Sequence, residues 1–395
     1  MKEIKAIYIT FNGLADPLGQ SQVLPYLQGL NSAGIKFYLV SLEKNIKEAE
    51  KLSEKLENLG ISWYKLKYFR FYTLGMAFNV LQCFLLVFYL IVSKKIKIIH
   101  SRAYLPIFSV FFLKKIFGLK LIFDMRGFWP EELVDSKRIK DDSIYHKALK
   151  FLERKSILSS DYIVTLTPES KEIIESKYRE KKLKVVWMPT CVNEEKFTPL
   201  KAEPLTGFDN KFIIVYAGSL WSFYDMPSQI DFFNILKTKI PNAHFLILGN
   251  NKPEELREIF KQKGVKEDDY TIISLKSEDV PKYLLGSNLG ISFRYDFYSQ
   301  KAAFPTKLAE YLISGLPVVI NSNSDYIEKF VRSNKVGVVV NTFNKDSLAT
   351  AADELLILIK DKDFKQRCIK TAQDYLGKHV CVDKYLDIYN ELQKL

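Results

Sequence analysis

The chain has 395 residues, 47% of them hydrophobic and 14% aromatic, and a formal net charge of +12. That length allows two domains of roughly 150–200 residues each, and the apolar content excludes a mainly disordered chain. The basic balance suits nucleotide phosphates or an anionic membrane face, or reflects no more than lysines on solvated helices. Nucleic acid is disfavoured as a partner, because no zinc finger, RNP motif or basic-region heptad is present.

In chain order, Met1-Lys-Glu-Ile-Lys runs into a strand over Ile4–Thr10, without a signal-peptide pattern. The stretch Gly13–Gly19 follows, where Gly19 allows the backbone to approach a ligand or simply makes a turn. Helices are expected over Gln20–Ala33 and Lys47–Leu59, flanking a strand at Phe37–Leu42. Leu74–Val92 is almost wholly apolar, broken by Asn79 and Gln82 and followed by Lys94, Lys95 and Lys97. It falls near the lower limit of the roughly 20 residues needed to span a bilayer. Its place between strands favours a packed helix; with Phe69, Arg70, Phe71 and Tyr72 it could also lie in a membrane interface. Strands at Ile96–Ser101, Leu119–Asp124, Tyr162–Thr167 and Lys184–Met188 then alternate with helices at Leu105–Phe117, Ser143–Ser159 and Glu169–Tyr178.

A turn-rich break at Thr198–Gly207 separates a second series of strands: Phe212–Ala217, Ala243–Gly249, Tyr270–Ser274, Leu289–Phe293, Val318–Ile320 and Val336–Val340. Helices are expected at Asp363–Tyr375 and Asp383–Leu395. The alternation predicts an α/β chain with two doubly wound parallel sheets. The expected domains are 1–198 and 199–378, with 379–395 returning to the first. The cysteines Cys83, Cys191, Cys368 and Cys381 lack close spacing, so neither a disulfide framework nor a zinc site is suggested, and a reducing cytosol is expected.

The richest segment is Phe304-Pro-Thr-Lys-Leu-Ala-Glu-Tyr-Leu-Ile-Ser-Gly315-Leu-Pro-Val-Val-Ile320. It reads as loop, short helix, glycine stop and buried strand, with Pro305 at the first helical position and Gly315 at a left-handed exit. A helix N-terminus at the carboxyl edge of a parallel sheet offers N–H groups and a positive dipole end to a phosphate. Lys307 adds a charge, and Glu310 a carboxylate able to bridge two ribose hydroxyls. The competing reading is a surface pair between Lys307 and Glu310.

With the segments Gly13–Leu27, Ile98–Pro106, Phe123–Glu132 and Val186–Asn193 in this order, the chain resembles a GT-B glycosyltransferase of family 4 over nearly its whole length. The resemblance implies two Rossmann-like domains with an interdomain cleft, the N-terminal one binding acceptor and the C-terminal one binding a nucleotide-sugar. It implies retaining transfer of a sugar from a UDP- or GDP-sugar to a glycan or lipid-linked acceptor in surface polysaccharide or glycoconjugate synthesis. No metal or further cofactor is expected. The expected location is cytoplasmic, with peripheral contact to anionic membrane through 69–97. Rival readings are a nucleotide-sugar 2-epimerase and a non-catalytic nucleotide-sugar-binding or scaffold subunit.

Under that resemblance, Glu310 holds the donor ribose and Lys307 the diphosphate. Phe304, Pro305 and Thr306 shape the loop against phosphate or sugar, and Leu275 and Lys276 meet the nucleobase. Gly218 and Ser219 belong to the donor loop. Two departures from the family stand out. The position of the first of the usual two glutamates is Ala302, and the loop from Gly218 to Met226 contains no basic residue. Arg294 is the candidate replacement clamp, or else a surface arginine paired with Asp296. In the first domain, His100 and Arg126 end strands on the same edge. Arg126 takes the place where many relatives carry a histidine; it cannot act as a base, and binds an anionic acceptor or leaving phosphate, oriented by Asp124. Glu131 and Glu132 are the nearest carboxylates for deprotonating an acceptor hydroxyl, or ordinary first-turn carboxylates.

Overall fold

The computed structural model describes all residues except 1–2, 71, 198–202, 204, 219–222, 250–252 and 395. The chain divides into two compact units, Met1–Pro189 with Lys378–Leu395, and Thr190–Gly377.

The first unit is built on seven parallel strands: β1 (Ile4–Thr10), β2 (Ile35–Glu43), β3 (Ser62–Lys67), β4 (Ile98–Arg102), β5 (Lys120–Asp124), β6 (Tyr162–Thr165) and β7 (Val185–Trp187). Their order is β3-β2-β1-β4-β5-β6-β7. The strand order reverses between β1 and β4, which opens a crevice at the carboxyl ends of those two strands. Ala6, Ile7, Tyr8 and Ile9 of β1 are all buried, as a strand covered on both faces requires. Strand β3 has no counterpart in the sequence reading. It is an edge strand whose lysines keep it half-buried, so the apolar run that marks the other strands is missing.

The helix expected over Gln20–Ala33 is two, Pro17–Gln22 and Leu24–Ser32, because Pro25 starts a new first turn after Val23. The stretch Leu105–Phe117 is likewise split into Tyr104–Phe108 and Phe111–Phe117. Helix Tyr72–Lys94 contains a 21-residue span, Leu74–Lys94, long and apolar enough to cross a membrane by length and composition. One side of it packs into the unit through Cys83, Val87 and Leu90, and Asn79 fixes it by accepting from Phe69 N and donating to Phe69 O. The last helix, Lys378–Lys394, lies on Leu24–Ser32, with Val382 against Gly29 and Tyr385 against Tyr26 at 6.0 Å. A Cβ on Gly29 would come within 2.5 Å of Val382, so only glycine permits this approach.

The second unit carries six parallel strands: β8 (Phe212–Ala217), β9 (Ala243–Leu248), β10 (Tyr270–Ile273), β11 (Leu289–Ser292), β12 (Val318–Asn321) and β13 (Gly337–Val340). Their order, β10-β9-β8-β11-β12-β13, reverses between β8 and β11. An aromatic core including Phe232, Phe233, Phe245, Phe260 and Phe293 fills one side of the sheet, and Phe260 stacks on Tyr270 at 4.0 Å. Cys83 and Cys368 are free and buried, whereas Cys191 and Cys381 are each disulfide-bonded, a pairing that their wide spacing in the sequence did not suggest.

Candidate active site

In the second unit the site forms where β8 and β11 part. These two strands pair only at Leu289–Ile214 and Gly290–Val215. Beyond that point Tyr311, from helix Thr306–Ile313, inserts its hydroxyl, accepting from Ala217 N at 2.9 Å and reaching Ile291 O at 3.4 Å. Gly290 makes room for the ring, since a Cβ there would lie 2.4 Å from it. The helix is thereby pinned with its N-terminus at the carboxyl ends of both strands.

Pro305 is the N-cap, so the helix starts one residue later than expected, and no side-chain hydrogen bond caps it among the described residues. Thr190 Oγ1 donates to Phe304 O at 3.1 Å, which fixes the preceding turn. Gly315 leaves the helix in the left-handed conformation, as the sequence indicates.

Lys307 is only 6% exposed, so the surface pair with Glu310 does not form. Its Nζ lies 3.7 Å from the centroid of the Tyr216 ring and 3.6 Å from that of Tyr224, a doubly bracketed cation. It has no hydrogen-bond partner among the described residues. Burial pulls the pKa of this ammonium well below the ordinary lysine range; Arg294 adds repulsion and Glu310 offsets a part. Gly218, at φ 119°, passes over the same ammonium, and a Cβ there would lie 3.4 Å from Nζ. Ser219 falls outside the described residues.

Arg294 is also buried, its guanidinium 5.6 Å from the Tyr224 centroid. Its backbone is held by Asn321, which accepts from Arg294 N and donates to Arg294 O, both at 2.8 Å. Tyr224 reaches this point because residues 223–225 pair back on 293–295: Tyr224 bridges Arg294, and Asp225 N donates to Phe293 O. Where the family resemblance places basic residues on the β8 loop, this chain puts an aromatic ring beside two basic side chains supplied by the segment after β11 and by the helix.

Glu310, one turn beyond Lys307, is partly buried; burial raises its carboxyl to about 7, against the opposing pull of Lys196 and Lys307. Ala302 is buried in the turn Tyr298–Ala302, so no carboxylate occupies that position. Leu275 is half-buried, and Lys276 is exposed and paired with Glu278 at 3.7 Å. Among the described residues no group of three or more His, Cys, Asp or Glu side chains is placed to hold a metal ion.

In the first unit, a separate polar cluster occupies the carboxyl ends of β4 and β5. Arg102 donates to Asp124 at 3.3 Å and to Gln22 at 2.8 Å; Arg126 donates to the same Gln22 oxygen at 3.1 Å and lies 3.8 Å from Asp124. Burial alone would raise the Asp124 carboxyl, but Arg126, His100 and Arg102 outweigh it and hold it at about 2. Arg126 is held at φ 63°, an uncommon conformation for a residue with a side chain, so the fold pays backbone strain to aim it.

His100 is enclosed, its Nδ1 2.8 Å from the Tyr389 hydroxyl and its ring against Tyr8 at 4.5 Å. Burial lowers its pKa, which favours the neutral imidazole. Glu131 is engaged by Lys150 at 2.6 Å, and Lys150 also holds Glu153, which accepts from the Tyr104 hydroxyl. Gly19 packs on its own loop, where a Cβ would lie 2.2 Å from Gly13 O. That loop is fixed by Glu43, a buried carboxylate accepting from Leu14 N, Ala15 N and Ser41 Oγ. Glu43 escaped sequence reasoning, as did Tyr216, Tyr224 and Gln22; each acts on residues distant in the chain, and no local spacing marks it.

Residues 200–375 match the family model described as glycosyl transferases group 1. An uncharacterized glycosyltransferase of Methanocaldococcus jannaschii is 24% identical over 299 residues, 70% of each chain. Among solved structures, a sucrose-phosphate synthase from Thermosynechococcus elongatus superposes with a TM-score of 0.73 at 12% identity over 99% of both chains. The Anabaena protein HepE, in complex with UDP and glucose, gives 0.67 at 14% identity, covering 99% of this chain and all of its own. At these identities the structural likeness establishes the GT-B fold.

Proposed function

We propose that the chain, whose residues 200–375 match the family model of glycosyl transferases group 1, transfers a sugar, with retention, from a nucleotide-diphosphate-sugar to a glycan or lipid-linked acceptor. The observation that carries the proposal is the pair of buried cations, Lys307 and Arg294, set at an uncapped helix N-terminus where β8 and β11 diverge. A buried ammonium without a hydrogen-bond partner among the described residues, with a guanidinium near it, is costly unless an anion joins it. A diphosphate supplies that anion, and its oxygens can take Lys307, the Arg294 fork and the helix N–H groups together. Glu310 then stands one turn inward, where a ribose would present its two hydroxyls.

The reaction follows from that arrangement. As the bond from the anomeric carbon to the phosphate oxygen breaks, negative charge grows on the diphosphate and the sugar becomes oxocarbenium-like. Preorganised positive charge stabilises this state more than the intact donor, which is what lowers a barrier. The acceptor hydroxyl attacks the same face and passes its proton to the leaving phosphate. In the first unit, Arg126 takes an anionic group of the acceptor. Lys307, Arg294 and the helix dipole supply the charge that a metal supplies elsewhere, so turnover persists in chelator. That HepE was crystallised with UDP supports UDP-sugars as the first donors to try.

The test is a thermal-shift screen of UDP-, GDP- and ADP-sugars, followed by product analysis with and without chelator. Stabilisation by one donor and slow release of its nucleoside diphosphate are expected. Interconversion of free nucleotide-sugars would instead identify an epimerase, and donor binding without either reaction a non-catalytic subunit.

A further inference from the structure

In the first unit, His100 is enclosed by groups from several elements. Tyr8 of β1 and Tyr385 of the terminal helix flank its imidazole, their ring centroids 4.5 and 5.1 Å away. The Tyr389 hydroxyl meets Nδ1 at 2.8 Å, and Nε2 stands 3.9 Å from Asp124 Oδ2 at the end of β5. Arg102, on the same strand as His100, and Arg126 are the remaining charges that act on the ring. His100 and Asp124 are each 1% exposed, so these neighbours, rather than solvent, decide which ring nitrogen carries the proton.

Against the burial that would protonate it, Asp124 stays ionised beside Arg126, His100 and Arg102. An unprotonated Nε2 would set a lone pair against that carboxylate, whereas an N–H there is attracted to it. Nδ1 then keeps its lone pair for the Tyr389 hydroxyl, which burial holds in its protonated, donating form. Burial opposes a second proton on the ring; Asp124 favours one, and Arg102 and Arg126 count against it.

We propose that His100 is a positioning residue, fixed by Tyr389 and Asp124 as the neutral Nε2–H tautomer, and that it aims the Asp124 carboxylate at Arg126. Asp124 Oδ2 is shared between His100 and Arg102, the latter at 3.3 Å, which leaves Oδ1 for Arg126 at 3.8 Å. Rotation of the carboxylate would give up one of these three contacts. Tyr389, near the end of the chain, thus acts through His100 and Asp124 on Arg126. The link to transfer rests on the reading that Arg126 takes an anionic group of the acceptor; the tautomer does not depend on it. A general base is what this arrangement excludes at His100, since one ring nitrogen is protonated and the other is given to Tyr389.

The experiment is nitrogen-15 spectroscopy of the histidine rings in the full chain. With four histidines in the sequence, comparison with His100→Gln assigns the signals. A protonated Nε2 and an unprotonated, hydrogen-bonded Nδ1 are expected between about pH 6 and pH 9. Tyr389→Phe should move the Nδ1 resonance to that of a lone pair without a hydrogen bond. It should also lower turnover roughly tenfold, the worth of one buried hydrogen bond, with the donor-induced thermal shift unchanged. His100→Leu should lower turnover similarly, and His100→Gln should restore most of it, because an amide still donates to Asp124 but cannot serve as a base. An Nδ1–H tautomer or an imidazolium at neutral pH, or an Nδ1 resonance that ignores Tyr389→Phe, would overturn the proposal. So would a His100→Gln variant as inactive as His100→Leu, which would mark a general base. Undiminished transfer by Arg126→Gln would overturn the link to the acceptor with the tautomer unchanged, so the two failures are told apart.

Discussion

Lys307 and Glu310 sit one turn apart, and burial works on them in opposite senses. For Lys307 the native state holds its proton less firmly than the unfolded chain does. Donor-free stability should therefore rise as pH approaches the ordinary lysine value of 10.5 from below. Glu310 holds its proton more firmly when folded, so its contribution is lost between pH 4.5 and about 7. Lys307→Met should remove the alkaline rise and stabilise the free protein by about 1–3 kcal/mol, while weakening donor binding at least tenfold; urea titrations across pH and calorimetry with donor check both. Glu310→Gln should raise the melting temperature above pH 7 and abolish donor use. Because a carboxylate must be ionised to accept two ribose hydroxyls, wild-type KM for donor should fall as pH rises through 7. A flat KM profile, or wild-type turnover in Glu310→Gln, would remove Glu310 from the donor site.

At the scale of elements, the helix Thr306–Ile313 is placed by Tyr311, whose hydroxyl fills the gap between β8 and β11. Gly290→Ala forces a methyl group against that ring and should cost about 1–3 kcal/mol. It should also lower donor affinity, because the helix N-terminus shifts with Tyr311. Tyr311→Phe, which keeps the ring and loses the hydroxyl, should cost about 1 kcal/mol, and denaturant unfolding distinguishes the two. Strands of this kind are easy to read in sequence, since burial on both faces demands unbroken apolar runs such as Ile213–Tyr216. Edge strand β3 is hard to read, because Lys65 and Lys67 serve the solvent and break the run. The segment from Phe304 to Glu310 could be identified because its loop, helix and stop are local. The rings around Lys307 could not, because Tyr216 and Tyr224 come from β8 and the segment returning to β11, and only the folded sheet brings them to the ammonium. His100 and Glu131 could be singled out from their places after strands, but their contacts with Tyr389 and Lys150 come from segments distant in the chain or on another helix and could not.

For the whole molecule, sequence order and compact units do not coincide, since Lys378–Leu395 belongs with the first unit. Tyr385, Tyr389 and Leu392 are buried there, and Tyr389 holds His100 beneath the Asp124 cluster. Deleting 378–395 should therefore destabilise the first unit, seen as a loss of its cooperative thermal transition and as aggregation, with the donor-responsive transition of the second unit less affected. A single transition that remains at the wild-type temperature would show the final helix to be dispensable.

The ammonium between two phenol rings has one more consequence, which is optical. The near-ultraviolet transitions of Tyr216 and Tyr224 respond to the charge state of a nitrogen under 4 Å from each ring centre. Any ligand that draws Lys307 toward itself, or restores its proton, changes the field on both chromophores at once. Occupancy by the proposed donor should therefore change the near-ultraviolet circular dichroism of the unlabelled chain, measured with and without nucleotide-sugar.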